Sequence, residues 1–186
     1  DSLFIRLSNL DTWGLVFYRG IIPFFTVFFG MLLIYKLNFF KILFNSGVHG
    51  IIYIATFSIT NITFVVSIQN TNVANTLVMI ATAPMLSAIL GAIFLKEPPD
   101  RKTLFSIIIT FFAIIYIFFD SLKVGNLYGD VLGFITAFGL ALGAITIRSA
   151  KTKNLVPAAV VGKLFVASFA LLSLIHISEP TRHCTI

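Results

Sequence analysis

Residues 72–97 read NVANTLVMIATAPMLSAILGAIFLKE, and this stretch decides the class of fold. From Val73 to Leu95 it contains no charged residue, and Lys96 and Glu97 follow directly. A helix needs about 20 consecutive apolar residues to cross the hydrocarbon core of a bilayer. The stretch therefore predicts a membrane-spanning helix.

The rest of the chain has the same composition. Hydrophobic residues make up 58% of its 186 residues and charged residues only 11%, and the mean hydropathy is +1.01. A soluble domain of this length needs more charge to cover its surface. Because lipid cannot satisfy an open sheet edge, the expected fold is all-α, a polytopic membrane helix bundle.

Short polar breaks separate the apolar segments into a series of expected helices. We expect the end of one helix at residues 1–8, further helices at 13–35, 49–68, 73–95, 103–119 and 127–147, and the start of another near residue 156. Short connections make sequential helices antiparallel neighbours.

The basic residues alternate between connections. The connections after the second, fourth and sixth segments contain Lys36, Lys41, Lys96, Arg101, Lys102, Arg148, Lys151 and Lys153, whereas the others hold only Arg6 and Lys123. By the positive-inside rule the basic connections are cytoplasmic, and so is the expected N-terminus of the full protein. This pattern explains the net charge of +6 without nucleic acid, since no basic face interleaved with aromatic residues is present.

A weak internal repeat joins the two parts of the chain. Ile5-Arg6 followed by Arg19 resembles Ile147-Arg148 followed by Lys163, with the first pair on the outer side and the second on the inner side. The repeat unit is then about five helices, an odd number, so the second copy is inverted. Inverted repeats are characteristic of secondary transporters.

Residues 72–103 carry the most specific family signal. A small-residue helix with a central Ala83-Pro84, Gly91 further along, and Glu97 before Arg101-Lys-Thr resembles the EamA-type permeases of the drug/metabolite transporter superfamily, as does Phe17-Tyr-Arg19. The resemblance covers residues 1–171. It implies ten helices in two inverted five-helix repeats, with the first repeat at 1–120 and the start of the second at 127–171.

The resemblance also implies a function and a location. EamA-type permeases are secondary transporters that move amines, amino acids, nucleotide-related metabolites or drugs by alternating access. The expected partners are a small-molecule substrate and the lipid bilayer of the bacterial inner membrane, with a homodimer left open. No cofactor is expected, because Cys184 has no partner cysteine and His49, His176 and His183 have no ligand-like spacing.

Both ends depart from this pattern. The chain starts without Met inside the expected first helix, and the last three helices implied by the resemblance are absent. Residues 172–182, LSLIHISEPTR, resemble the in-frame translation of a transposase adapter used for sequencing libraries. We therefore expect the natural sequence to end near Leu171 and residues 172–186 to be an adapter-derived tail.

A polar stripe follows one face of the third segment. Its members recur at spacings of four and three: His49, Tyr53, Thr56, Thr60, Thr63, Ser67 and Asn70. Tyr53, Thr56, Thr60 and Thr63 are candidate substrate contacts in a water-filled pathway. The alternative is that the hydroxyls bond to backbone carbonyls or hold helices together.

Two cations lie inside expected helices. Arg19 lies about six residues into its helix, or about 9 Å from the helix start, and Lys163 is its counterpart in the repeat. Each is a candidate ligand for a substrate carboxylate or phosphate. Each could instead extend its charged end to the headgroups.

The fourth segment supplies further candidates. Asn75 and Thr82 are seven residues apart on one face and are candidate substrate contacts, with helix packing as the alternative. Pro84 should free the carbonyl of Ile80 and kink the helix, which makes it a candidate hinge. Glu97 is expected to pair with Lys96 or Arg101. The glycine pairs at 129/133 and 139/143 are interpreted as close-packing positions.

Two other classes of function remain as alternatives. An intramembrane enzyme would need His, Asp, Glu or Ser clustered at depth, and only the hydroxyl stripe is available, so the protein is not expected to be an enzyme. A structural or assembly membrane protein would not require the inverted repeat.

Overall fold

The computed structural model describes residues 11–35, 38–124, 127–151 and 153–177. Seven α-helices lie in these ranges: α1 (Thr12–Tyr35), α2 (Asn38–Asn70), α3 (Val73–Ile80), α4 (Ala83–Leu90), α5 (Arg101–Val124), α6 (Leu127–Ala150) and α7 (Val156–Ile177). A π-helical turn, Gly91–Leu95, continues α4. The described residues contain no strand.

Within the described ranges, five segments are long and apolar enough to cross a membrane: Thr12–Tyr35, Asn38–Asn70, Val73–Leu95, Leu127–Ala150 and Val156–His176. Many large apolar side chains point outward, for example Leu33, which is 83% exposed, and Phe44, which is 82% exposed. Such exposure is unfavourable in water but suits a lipid-facing surface. The fold is therefore the polytopic helix bundle that the composition predicts.

Helix α2 begins earlier than predicted. The region before His49 was expected to be a connection, but residues 38–46 are helical and are separated from the rest of α2 by a break at Gly47. Gly47 has φ 55°, a backbone conformation that glycine adopts without a Cβ penalty. Phe39 anchors the short first part by packing against Met31 and Val160.

The span over residues 73–95 is interrupted near its middle. Helix α3 ends at Ile80, residues 81–82 form a turn, and α4 starts at Ala83 with Pro84 in its first turn. Proline cannot donate to the carbonyl four residues earlier, so the helical ladder breaks where the sequence predicts a kink. Lys96 then ends the π-helical turn in the left-handed conformation, with φ 56°.

Helices α2 and α6 pack closely and antiparallel along the polar stripe. A Cβ placed on Gly129 of α6 would lie 2.6 Å from Thr71 Cβ and 2.7 Å from the backbone nitrogen of Thr71. Further along, Gly133 faces Ser67 and Gly143 faces Tyr53. The stripe predicted on α2 therefore forms a large part of the α2–α6 interface.

Helices α1 and α7 make a second close contact. A Cβ on Gly20 would lie 2.8 Å from the backbone nitrogen of Ala167, so only glycine permits this approach. Two apolar clusters hold α1, α2 and α7 together on either side of it. One contains Val16, Val65 and Val166, and the other contains Met31, Phe39 and Val160.

The predicted basic connections meet at one end of the bundle. Glu97, after the π-helical turn, forms an ion pair with Arg148 near the end of α6. Asn154 donates to the Tyr35 hydroxyl over 3.5 Å. We call this end of the bundle, where the connections around residues 36–41, 96–102 and 148–153 meet, the basic end. The expected pairing of Glu97 with Lys96 or Arg101 was wrong, because the tertiary fold brings Arg148 closer.

Several sequence-based expectations fall partly or wholly outside the described ranges. These are the helix end at residues 1–8 with Arg6, Lys36, and residues 178–186 of the expected adapter-derived tail. The first part of that tail, Leu172–Ile177, continues α7 as a helix.

Candidate functional site

A cavity of about 530 Å³ lies between α1, α2, α6 and α7, with Ile80 of α3 completing its wall. Its volume is within the range typical of small-molecule sites. It lies between the two apolar clusters that join α1, α2 and α7, so the packing above and below holds its walls in place.

Six polar residues line the cavity: Arg19, Tyr53, Thr60, Asn61, Thr136 and Lys163. Four of them, Arg19, Tyr53, Thr60 and Lys163, were predicted as candidate substrate contacts from the sequence. They come from three helices, so helix packing brings together candidates that are distant along the chain. No Asp or Glu is among the described residues that line this cavity.

Lys163 is held by α2. Its Nζ donates a 2.6 Å hydrogen bond to Asn61 Oδ1 and lies 5.1 Å from the centroid of the Phe57 ring. A cation over an aromatic face is attracted by the negative face of the ring. Asn61 and Phe57 lie one helical turn apart, so a single face of α2 positions the ammonium.

Arg19 also lies over an aromatic ring of α2, two helical turns beyond Phe57. Its Cζ lies 5.0 Å from the centroid of the Phe64 ring. Both side chains are partly buried and both line the cavity.

The threonines of the stripe bond to their own helix. Thr56, Thr60 and Thr63 each donate to the carbonyl four residues earlier, over 2.7–3.0 Å. Thr60 also lines the cavity, so its hydroxyl bonds to a backbone carbonyl and its side chain is also part of the cavity wall. Thr63 lies 2.8 Å from the Thr136 hydroxyl and borders an apolar groove between α2 and α7.

Two further candidates, Asn75 on α3 and Thr82 in the turn after α3, lie outside the cavity lining. Thr82 is 1% exposed and donates 2.6 Å to the carbonyl of Met79. Asn75 donates 3.5 Å to Asp130 Oδ2. Thr56 is also absent from the cavity lining. For these three residues the packing alternative describes the observed contacts.

Comparison with known families supplies an identity for this architecture. The sequence matches the EamA-like transporter family over residues 3–119. The chain belongs to the EamA-like transporter family. This family is part of the drug/metabolite transporter superfamily, as residues 72–103 suggested. Neither the curated proteins nor the solved structures contain a match.

The match gives the EamA-like chain a class of activity. Members of this family are transporters, not enzymes. Within the described ranges, no group of three or more His, Cys, Asp or Glu could hold a metal ion. The matched residues lie within the first predicted repeat, and the division into two repeats stays a prediction.

Sequence reasoning missed one buried acid of the EamA-like chain. Asp130, in the first turn of α6, is fully buried and accepts a 2.6 Å hydrogen bond from Thr71 Oγ1. In the sequence Asp130 directly follows a polar stretch, so it looks like part of a connection. Its position three residues into an apolar segment, beside two glycines, was the signal available in the sequence.

Asn61 and Thr136 were also missed. Asn61 lies directly after Thr60 and outside the spacing of the stripe, and Thr136 lies in an apolar segment with no repeated polar partner. An amide is rare enough at the centre of a membrane span to be a functional candidate by itself. Pro84 was correctly placed at a helix break, whereas its action as a hinge stays a prediction.

Proposed function

We propose that the protein is a secondary transporter that moves a small organic solute by alternating access, the solute being an amino acid, a nucleotide-related metabolite or a drug. The observation that carries this proposal is the cavity between α1, α2, α6 and α7. It presents a few polar groups on a mainly apolar wall, which is the usual composition of a small-molecule site.

The position of the cavity in the chain supports the same conclusion. Two of its walls, α1 and α2, lie in the first predicted repeat, and two, α6 and α7, lie in the second. In transporters built from inverted repeats the solute binds near the membrane midplane, between the repeats. Rocking of one repeat against the other would open such a cavity to each side in turn.

The proposed location is the bacterial inner membrane, with the basic end in the cytoplasm. The basic end gathers the connections that carry most of the lysines and arginines. Such connections remain on the cytoplasmic side during insertion. The proposed partners are the transported solute and the surrounding lipid.

A cysteine at Thr60 tests this proposal. Thr60→Cys is made after Cys184, the one cysteine of the sequence, is replaced by Ser, and the protein is reconstituted into vesicles. A membrane-impermeant thiol reagent is applied to one face at a time while a panel of amino acids, nucleotides and drugs is supplied. We expect at least one solute to accumulate above protein-free vesicles and to slow the labelling of Thr60→Cys.

Thr82→Cys is the matched control, because Thr82 is also buried but lies outside the cavity lining. Its labelling should not respond to the solute. If the panel gives no accumulation and Thr60→Cys labels equally from both faces under all conditions, the transporter proposal is wrong.

A further inference from the structure

We propose that the cavity selects organic anions, with a carboxylate or phosphate group held between Arg19 and Lys163 and an apolar or aromatic body against Phe57 and Phe64. This inference rests on the proposed function, since it names the class of solute for the same cavity.

The charge of the cavity is the first argument. Its described lining carries two cations and no carboxylate, in a bundle whose outer surface is apolar. Charges interact more strongly where water is scarce, and charged residues inside a membrane span most often serve a function. An anion that reaches both Arg19 and Lys163 would gain an attractive interaction with each of them.

The geometry of the cations is the second argument. Arg19 comes from α1 and Lys163 from α7, and the two helices approach closely where Gly20 meets Ala167. The cations thus approach one cavity from two neighbouring helices. Carboxylate and phosphate oxygens form strong, short hydrogen bonds to such groups.

The aromatic residues of α2 are the third argument. Phe57 and Phe64 place ring faces beside the two cations, and Tyr53 stacks on Phe57 with 5.6 Å between ring centroids. A flat apolar group bound next to the anionic group would contact these rings. The cavity is therefore suited to a molecule with one charged end and one apolar body.

Four probes of matched shape test the inference: benzoate, phenyl phosphate, the neutral benzamide and the cationic benzylamine. Binding to the purified protein in lipid nanodiscs is measured by titration calorimetry. We expect the better of the two anions to bind at least about tenfold more tightly than benzamide, and benzylamine to bind more weakly than either anion. A preference between benzoate and phenyl phosphate identifies the anionic group.

Charge-neutralising variants assign the effect to residues. Arg19→Gln and Lys163→Gln should each weaken anion binding about tenfold, while Arg19→Lys and Lys163→Arg should retain most of it. Arg101→Gln, at an exposed position outside the cavity lining, is the control and should leave binding unchanged.

The inference is overturned if benzamide or benzylamine binds as tightly as the anions. It is also overturned if the Arg19→Gln/Lys163→Gln double variant binds anions as the unmodified protein does. The comparison of the four probes needs no variant, so misfolding of a variant does not prevent the test. If the labelling of Thr60→Cys shows alternating access with a neutral or cationic solute, the transporter proposal stands. Only the inference that the cavity selects anions is then rejected.

Discussion

Lys163 of α7 and Asn61 of α2 are joined by a 2.6 Å hydrogen bond from Nζ to Oδ1. Asn61 at the same time donates 2.7 Å from Nδ2 to the carbonyl of Phe57 on its own helix. The amide therefore connects the backbone of α2 to the cation of α7. This link fixes one wall of the cavity, and its removal should affect both stability and binding.

Asn61→Leu should lower the free energy of unfolding by about 1–2 kcal/mol, because it removes the partner of a partly buried cation. Asn70→Leu is the matched control, since Asn70 also donates to the carbonyl four residues earlier but is exposed at the end of α2. Unfolding in mixed micelles measures both losses. Equal losses for the two variants would show that the bond to Lys163 contributes nothing.

Gly20→Ala should destabilise the α1–α7 contact by about 1–3 kcal/mol, because the new methyl group would overlap the backbone of Ala167. Gly30→Ala in the same helix has nothing within 4 Å of the added Cβ and should be neutral or stabilise by up to about 1 kcal/mol. Thermal unfolding in detergent compares the two. The close approach of α1 and α7 would be disproved if both substitutions stabilise the protein.

Thr71→Val should cost about 1–3 kcal/mol, because it leaves the buried carboxyl group of Asp130 without one of its hydrogen-bond donors. Thr110→Val is the control, since the Thr110 hydroxyl bonds to the Ser106 carbonyl of its own helix. Denaturant titration of each variant gives its loss in free energy of unfolding, and the two losses are compared. A smaller loss for Thr71→Val than for Thr110→Val would contradict the assigned role of this contact.

The ion pair between Glu97 and Arg148 should contribute about 0–1 kcal/mol, because its side chains are 56% and 52% exposed. A double-mutant cycle with Glu97→Gln and Arg148→Gln measures the coupling free energy. We expect this coupling to fall as salt is added. A coupling well above this range, unchanged by salt, would show that the pair is buried in the membrane-bound protein.

Much of the fold could be predicted because membrane insertion depends on local properties. The segment from Val73 to Leu95 was recognisable as a span, and Pro84 correctly predicted its interruption. Gly47 shows the limit of this reasoning, since residues 38–46 were assigned to a connection that contains Lys41 and are nevertheless helical. Their helix is supported by Phe39, whose contacts with α1 and α7 no local pattern reveals.

The candidate site was predicted in part. Helical periodicity placed Tyr53, Thr56, Thr60 and Thr63 on one face, but it could not say which neighbour that face meets. Packing against α6 directs Tyr53 and Thr60 to the cavity and leaves Thr56 outside its lining. Asn61 was overlooked because it lies outside the period of the stripe.

By itself, the sequence determined that this is a membrane helix bundle of the EamA-like family and which connections carry the positive charge. Those features depend on runs of apolar residues and on charges close to their ends, which are read along one segment at a time. Only the tertiary structure decided that Arg19 and Lys163 line one cavity, that Asp130 is buried, and that Glu97 pairs with Arg148. These relationships depend on how each helix is rotated and how closely two helices approach, and contacts from several segments set both together.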